Sequence, residues 1–383
     1  MRKFGCVILA LCLALTVLPG AVFAANLEVE AKSAVLMDAA TGTVLYEKNA
    51  HERLAPASVT KVMTMLLIME AIDTGCIALE DMVTASETAA AKGGSQIYLK
   101  AGETMSVSDM LKSIAVSSAN DCACAMAEHI AGSEAAFVAK MNERAAQLGM
   151  NDTNFVNCTG LDDDPEAENH VTSAFDIALM SRQLLVHHPK IKEFTTIWMD
   201  TVRDGAFGLA NTNKMVRFYS GCTGLKTGFT QKAGYCLSAS AQREGLELIA
   251  VVMGAETSQK RFDACKQMLD FGFANYALVV PELTENYTVP VKMGEEKVVL
   301  AVPAEDIAFL LDKQQKNAVT TEVTLDSCVE APVSQGQRLG TLTVKVGDQA
   351  LRQVSMVAQT GVRRLTWGQI FAILLRQITM RGG

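Results

Sequence analysis

The chain has 383 residues, 49% of them hydrophobic and 20% charged, with a net charge of −8. It can bury a sizeable core, which excludes a disordered chain. The acidic balance argues against a general nucleic-acid binder, which would carry a basic patch. The length favours two domains plus accessory segments.

The N-terminus reads as a signal peptide over residues 1–24. Arg2-Lys3 forms a basic region, Phe4 to Leu18 an apolar one, and Val22-Phe23-Ala24 a small-residue cleavage site. The apolar run is shorter than the ~20 residues that span a bilayer, so the mature protein is expected to be exported. Of ten cysteines, Cys6 and Cys12 lie in this segment. That leaves Cys76, Cys122, Cys124, Cys158, Cys222, Cys236, Cys265 and Cys328. Their connectivity cannot be read from sequence, and buried free thiols are the plainer expectation. Cys122-Ala123-Cys124 is too tight for a zinc knuckle and has no histidine cluster beside it. No metal and no cofactor are expected.

Ser33–Met37 and Thr43–Tyr46 read as a β-hairpin around Asp38-Ala39-Ala40-Thr41-Gly42. Pro56 opens a helix that is apolar nearly all round and stops near Gly75, so it should be buried. A helix from Ser108 to Val116 and another from Asp121 to Gly132 leave Ser118 and Asn120 on a connecting loop. Helices at Ala135–Leu148 and Ser173–Val186 flank a polar, turn-rich stretch from Asn151 to Asn169.

The period then changes to strand. Leu225–Thr230, Tyr235–Gln242 and Leu246–Gly254 are separated by short turns, which predicts an antiparallel meander. A helix over Ser258–Phe271 would cover it. The expected fold is α+β: an antiparallel sheet built from both ends of the segment, with an all-helical insertion between, over residues 25–278. A β-rich domain at 283–360 should hold strands at Tyr287–Met293, Lys297–Val302, Thr320–Leu325 and Thr341–Val346. Residues 363–381 form an amphipathic helix with Trp367, Ile370, Phe371, Leu374, Leu375 and Ile378 on one stripe. It suits a membrane interface, and docking on a protein is the rival reading.

Three motifs carry the chemistry. Ser58-Val59-Thr60-Lys61 places a hydroxyl and an amine at i,i+3, neighbours on one helical face. Alone it is weak, since roughly one such match is expected by chance in a chain this long. Ser118-Ala119-Asn120 is equally weak, and Lys226-Thr227-Gly228 is rarer. Together, on a helix start, an inter-helix loop and a strand, they form the set known from class A β-lactamases and penicillin-binding proteins. Serine needs a base within hydrogen-bond reach. A lysine can be that base if burial or a nearby cation, here Lys226, lowers its pKa.

With these residues, the chain resembles the low-molecular-mass penicillin-binding proteins, serine-type D-alanyl-D-alanine carboxypeptidases with the penicillin-binding/β-lactamase-like fold. Ala57, Asp121, Leu225, Phe229 and Thr230 extend the three motifs, with softer likeness at Asn211-Thr212-Asn213, Ala233-Gly234-Tyr235 and Gly160-Leu161 with His170. The β-rich domain and terminal helix fit the same plan. The resemblance implies Ser58 as acyl-ester nucleophile, Lys61 as general base, Ser118 as proton relay and Asn120 as holder of the substrate amide. It implies an oxyanion hole from the backbone N–H groups of Ser58 and Phe229, and a carboxylate site from Lys226, Thr227, Gly228 and Arg261. The implied partners are peptidoglycan stem peptides ending in D-Ala-D-Ala, β-lactam antibiotics and, through the C-terminal helix, the outer face of the cytoplasmic membrane, with no nucleic acid. One departure is Thr223, where family members usually carry an acidic residue.

The bland rivals are a helix cap at Ser58 or Asn120, a solvated Lys226, a surface-helix Arg261 and a structural His170. No Gly-x-Ser-x-Gly elbow supports a histidine-based triad. The alternative functions are a β-lactamase, which the Pro165-Glu166-Ala167-Glu168-Asn169 stretch superficially invites, and a non-catalytic wall-binding scaffold.

Overall fold

A computed structural model of the chain describes residues 27–163, 165–283 and 285–380. The expected signal peptide lies outside them. Strands β1 (Ser33–Asp38) and β2 (Val44–Lys48) form the predicted hairpin. The meander consists of β3 (Cys222–Thr230), β4 (Gly234–Arg243) and β5 (Leu246–Ala255). These five make one antiparallel sheet in the order β2-β1-β5-β4-β3. β3, the strand of Lys226, is therefore an edge.

Both faces of the sheet are covered, which explains the unbroken apolar run of β5. Ile249, Val251 and Met253 face the helical insertion, while Leu248, Ala250 and Val252 face α6 (Ser258–Asn275). The insertion contains α1 (Lys61–Asp73), α2 (Val107–Ser117), α3 (Asn120–Ala131), α4 (Glu134–Gln147) and α5 (Ala174–His187). Hydroxyl caps start four of these six named helices: Ser106 accepts from Asp109 N, Ser133 from Ala136 N, Ser173 from Asp176 N and Thr257 from Lys260 N. As its all-round apolarity predicts, α1 is buried, with Val62, Met63, Met65, Leu66 and Ile68 inaccessible.

Two expectations near the motifs need correction. The helix does not begin at Pro56: Ala57–Thr60 is a 3-10 turn, and α1 starts at Lys61. Ala57 has φ +49°, which a regular α-helical start cannot accommodate. In a 3-10 turn, residues i and i+3 eclipse, so Ser58 and Lys61 are aligned more directly than on an α-helix. Asn120 is not in the loop but is the first residue of α3, following Ser118 in the left-handed region at φ +62°.

The C-terminal domain is a six-stranded sheet. Its order is Val319–Leu325, Arg338–Val346, Gln349–Ala358, Val298–Pro303, Thr288–Lys292 and Val329–Glu330. All four predicted strands are present. Gln349–Ala358 escaped prediction because its first five residues are exposed and only Val354, Met356 and Ala358 reach the core. The terminal helix spans Trp367–Met380. Trp367 is 87% exposed and Phe371 64%, while the side chains of 374–380 lie outside the described residues. No described helix is long and apolar enough to cross a membrane. The eight cysteines outside the N-terminal segment are free thiols.

Candidate active site

Lys61 is fully buried, and its Nζ lies 3.0 Å from Ser58 Oγ and 2.9 Å from the Thr159 carbonyl. Burial lowers its pKa to about 7, against the opposing influence of Cys158 and Asp121. A neutral amine here donates a proton to Thr159 O and turns its lone pair toward the Ser58 hydroxyl. That is the geometry of a nucleophile with its base.

The loop that supplies Thr159 is held by its own polar contacts. Asn157 Oδ1 accepts from Thr159 N, Thr159 Oγ1 and Gly160 N at 3.1, 3.1 and 2.7 Å. Gly160 has φ +83°, and a Cβ there would sit 1.8 Å from the Ala57 carbonyl. Only glycine lets this loop rest on the Ser58 turn. His170 fixes it from behind, accepting from Val156 N at Nδ1 (3.0 Å). The Thr60 hydroxyl is committed to the Ala57 carbonyl, so His170 Nε2–H donates to Thr60 Oγ1 at 2.8 Å. Burial pushes the His170 pKa down to about 4, so it is neutral at physiological pH. Its role is structural, as expected.

Ser118 and Asn120 are both buried at the start of α3. Asn120 Nδ2 donates to Gly93 O at 2.7 Å, which fixes its amide orientation. Its Oδ1 is buried with no partner among the described residues. A buried acceptor without a donor is costly, and this one is suited to receive an N–H from a bound molecule.

β3 approaches the Ser58 turn backbone to backbone. A Cβ on Gly228 would lie 2.7 Å from Pro56 O and 3.0 Å from Ser58 N. The third residue of Lys226-Thr227-Gly228 must therefore lack a side chain. Lys226 is buried rather than solvated, and its Nζ donates to Thr227 O at 2.8 Å. Burial, and then the charges of Lys61 and Arg261, hold its pKa well below the usual lysine value. Burial dominates for both lysines, and the cationic neighbour expected to act on Lys61 is felt at Lys226. Thr227 Oγ1 donates to Thr212 Oγ1 at 2.7 Å.

Arg261 is not a surface-helix arginine. It is 7% exposed, and Nη1 donates to Gly228 O at 3.0 Å and Cys236 O at 3.4 Å. Its Nε is buried with no partner among the described residues. Phe229 is 45% exposed, its ring stacked 4.3 Å from that of Tyr235. The departure at Thr223 is compensated across the sheet. Its hydroxyl donates to Glu247 Oε1 (3.0 Å) and lies 2.7 Å from Ser240 Oγ, so an acidic group reaches this spot from β5. Pro165–Asn169 is a single 3-10 turn, and the Glu166 side chain lies outside the described residues.

Sequence reasoning missed Thr159 and Asn157 as parts of the site, and named Thr212 only within a softer stretch of likeness, without a role. The Asn-Cys-Thr-Gly run over 157–160 carries a turn signal that could have marked the first two. A hydroxyl met across sequence distance, as at Thr212, has no local signature.

Residues 21–257 match the family described as D-alanyl-D-alanine carboxypeptidase, peptidase S11. The chain belongs to that family. Residues 280–364 match the penicillin-binding protein 5 C-terminal domain. D-alanyl-D-alanine carboxypeptidase DacF of Bacillus subtilis (strain 168) is 46% identical over 342 residues, covering 88% of this chain and 86% of that protein. Penicillin-binding protein 5 from Haemophilus influenzae superposes with a TM-score of 0.74 at 30% identity, over 88% of this chain and 98% of that one. Penicillin-binding protein D2 from Listeria monocytogenes, solved in an ampicillin-bound form, matches 65% of this chain and 99% of that one. Its identity is 33% and its TM-score 0.59. The chain is thus a serine peptidase of the penicillin-binding type.

Proposed function

We propose that the protein removes the terminal D-alanine from peptidoglycan stem peptides through a Ser58 acyl-enzyme, and that penicillins acylate the same serine. The observation that carries this reading is the buried, low-pKa Lys61 amine 3.0 Å from Ser58 Oγ. Lys61 takes the Ser58 proton as the oxygen bonds to the carbonyl between the two D-alanines. The developing oxyanion is met by the N–H groups of Ser58 and Phe229, which the close β3 approach supports. The C–N bond breaks as Ser118 passes a proton to the leaving amine. Water then cleaves the ester and frees Ser58.

Asn120 Oδ1 receives a substrate N–H. Lys226, Thr227 and Gly228 form the site for the terminal carboxylate, whose negative charge lets buried Lys226 bind as an ammonium. Arg261 backs this strand through Gly228 O and has Nε left to add to the positive field.

The domains this reading uses are a signal peptide at 1–24, a catalytic unit at 25–278, a β-rich unit at 283–360 and an anchoring helix at 363–381. The exposed Trp367 and Phe371 support docking on the outer face of the membrane. Labelled penicillin and a D-Ala-D-Ala peptide test the function. Wild type should give one stable label per chain and release D-alanine, and Ser58→Ala should do neither. Rapid penicillin turnover without D-alanine release would mean a β-lactamase. No labelling would leave only the scaffold.

A further inference from the structure

Two side chains of the site are held by loops distant in sequence. Asn120 takes its orientation from Gly93 O at 2.7 Å, and Lys61 from Thr159 O at 2.9 Å. The residues next to these two carbonyls, Lys92 and Cys158, meet at one carboxylate. Glu134, the first residue of α4, accepts Lys92 Nζ at Oε2, 2.5 Å away. Its Oε1 accepts Cys158 N and Cys158 Sγ, each at 3.2 Å. An unbroken series of bonds therefore runs from Asn120 through Gly93, Lys92, Glu134, Cys158 and Thr159 to Lys61.

The ion pair is shielded, with the side chains of Lys92 and Glu134 only 22% and 18% exposed. Burial would raise the Glu134 pKa, yet Lys92 and then Cys158 hold it below the usual carboxylate value. Lys92 is raised by Glu134 against its own burial, so both groups are charged at neutral pH. The N-terminus of α4 adds a dipole that favours the carboxylate. The two loops also press on each other. Gly94 has φ +72°, and a Cβ there would lie 2.7 Å from Asn120 Nδ2 and 3.1 Å from Leu161 Cδ2. Moving the Gly93 loop therefore disturbs Asn120 and the Thr159 loop at once.

We propose that the Lys92–Glu134 ion pair is one positioning device shared by both loops, setting Asn120 for the substrate amide and Lys61 for Ser58 together. The inference rests on the roles given above to Asn120 and Lys61. Lys92 and Glu134 act through the carbonyls they fix, at Gly93 and Thr159, and not on the reacting atoms. Breaking the ion pair alone frees the Gly93 loop while an acceptor stays on Cys158 N. Removing the carboxylate releases both loops and opens the buried Lys61 amine to water.

The experiment measures kcat and KM on a D-Ala-D-Ala peptide, the pH midpoint of penicillin acylation, and melting temperature. Lys92→Met should raise KM about tenfold and leave the midpoint at about 7. Glu134→Gln keeps an oxygen for Cys158 N but loses the ion pair, so it should match Lys92→Met. The double variant should be no worse than either single one, because both remove the same link. Glu134→Ala should in addition move the midpoint up by about one pH unit, as hydration restores the Lys61 charge. Asp121, Cys158, His170 and Lys226 act on Lys61 or feel its charge, and no variant alters them. The Met and Gln variants keep side-chain volume, so their cycle stands even where Glu134→Ala does not fold. Effects on KM that multiply to about a hundredfold in the double variant overturn the shared device. Lower melting temperatures with KM and midpoint unchanged overturn it too. Wild-type protein that takes no penicillin label and releases no D-alanine overturns the roles of Lys61 and Asn120, and this inference with them.

Discussion

Lys61 Nζ meets the carbonyl of Thr159 at 2.9 Å, a contact between residues 98 apart in the chain. It gives the amine a proton acceptor on one side and leaves its lone pair for Ser58 on the other. The loop does not neutralise Lys61, because a carbonyl carries no charge. Burial therefore outweighs the opposing influence of Cys158 and Asp121, and the amine reaches about 7.

A pH dependence follows from that value. The reactive form is neutral Lys61, so the second-order rate of penicillin acylation should rise with pH through about 7 and level off above it. Stopped-flow or gel-based acylation between pH 5 and 9 reads the profile. A rate that is flat through neutrality would remove Lys61 as the base.

The same burial shapes stability. Between pH 7 and the ordinary lysine range, the unfolded chain holds a proton on Lys61 that the folded chain lacks, so this group's contribution to stability rises with pH. Lys61→Met should be inactive, and its melting temperature should exceed that of wild type most at pH 7 and below. The difference should shrink toward pH 10. Thermal melts across that range check the sign.

Gly228→Ala tests the backbone approach of β3. Its Cβ would press on Pro56 O and Ser58 N, both backbone atoms that cannot swing away. Penicillin acylation should fall about a hundredfold through misplacement of the serine turn. The cost in stability should be about 1–3 kcal/mol, read by denaturant unfolding.

Asn120→Ala removes the unpartnered acceptor and the bond to Gly93 O together. The catalytic efficiency on D-Ala-D-Ala peptides should drop by about 10- to 100-fold, the equivalent of one or two buried hydrogen bonds. Steady-state release of D-alanine measures it.

The cysteines should divide by exposure. Cys76 is exposed, while Cys122, Cys124, Cys158, Cys236 and Cys265 are buried. Burial raises the thiol pKa of Cys236 to about 11 and pushes Cys265 up as well. In Cys158 a hydrogen bond to Cys124 is the first cause of the rise, followed by burial. An aromatic disulfide reagent should titrate Cys76 quickly in the native protein and those five only after unfolding.

Sequence alone revealed the parts whose signal is local. The apolar α1, the alternating and buried strands, the glycine-bounded helices and the three motifs all follow from nearest-neighbour pattern. Contacts across sequence distance were not legible. Thr159 reaches Lys61, Glu247 reaches Thr223, and Thr212 reaches Thr227, each through the packing of separate elements. The 3-10 turn at Ala57–Thr60 depends on Gly160 and Gly228 pressing against it from elsewhere in the fold. Arg261 is expected at the site by resemblance alone, with a surface-helix arginine as its rival, because the sequence predicts the covering helix but not that this side chain reaches Gly228 O.

The central claim is that Ser58 is acylated with Lys61 as its base. Penicillin labelling followed by peptide mass spectrometry, run from pH 5 to 9 on wild type and Lys61→Met, tests it most directly. The account predicts a single adduct on Ser58, a rate that rises through about pH 7, and no measurable labelling of the variant. An adduct on another residue, or a Lys61→Met variant that acylates at the wild-type rate, would contradict it.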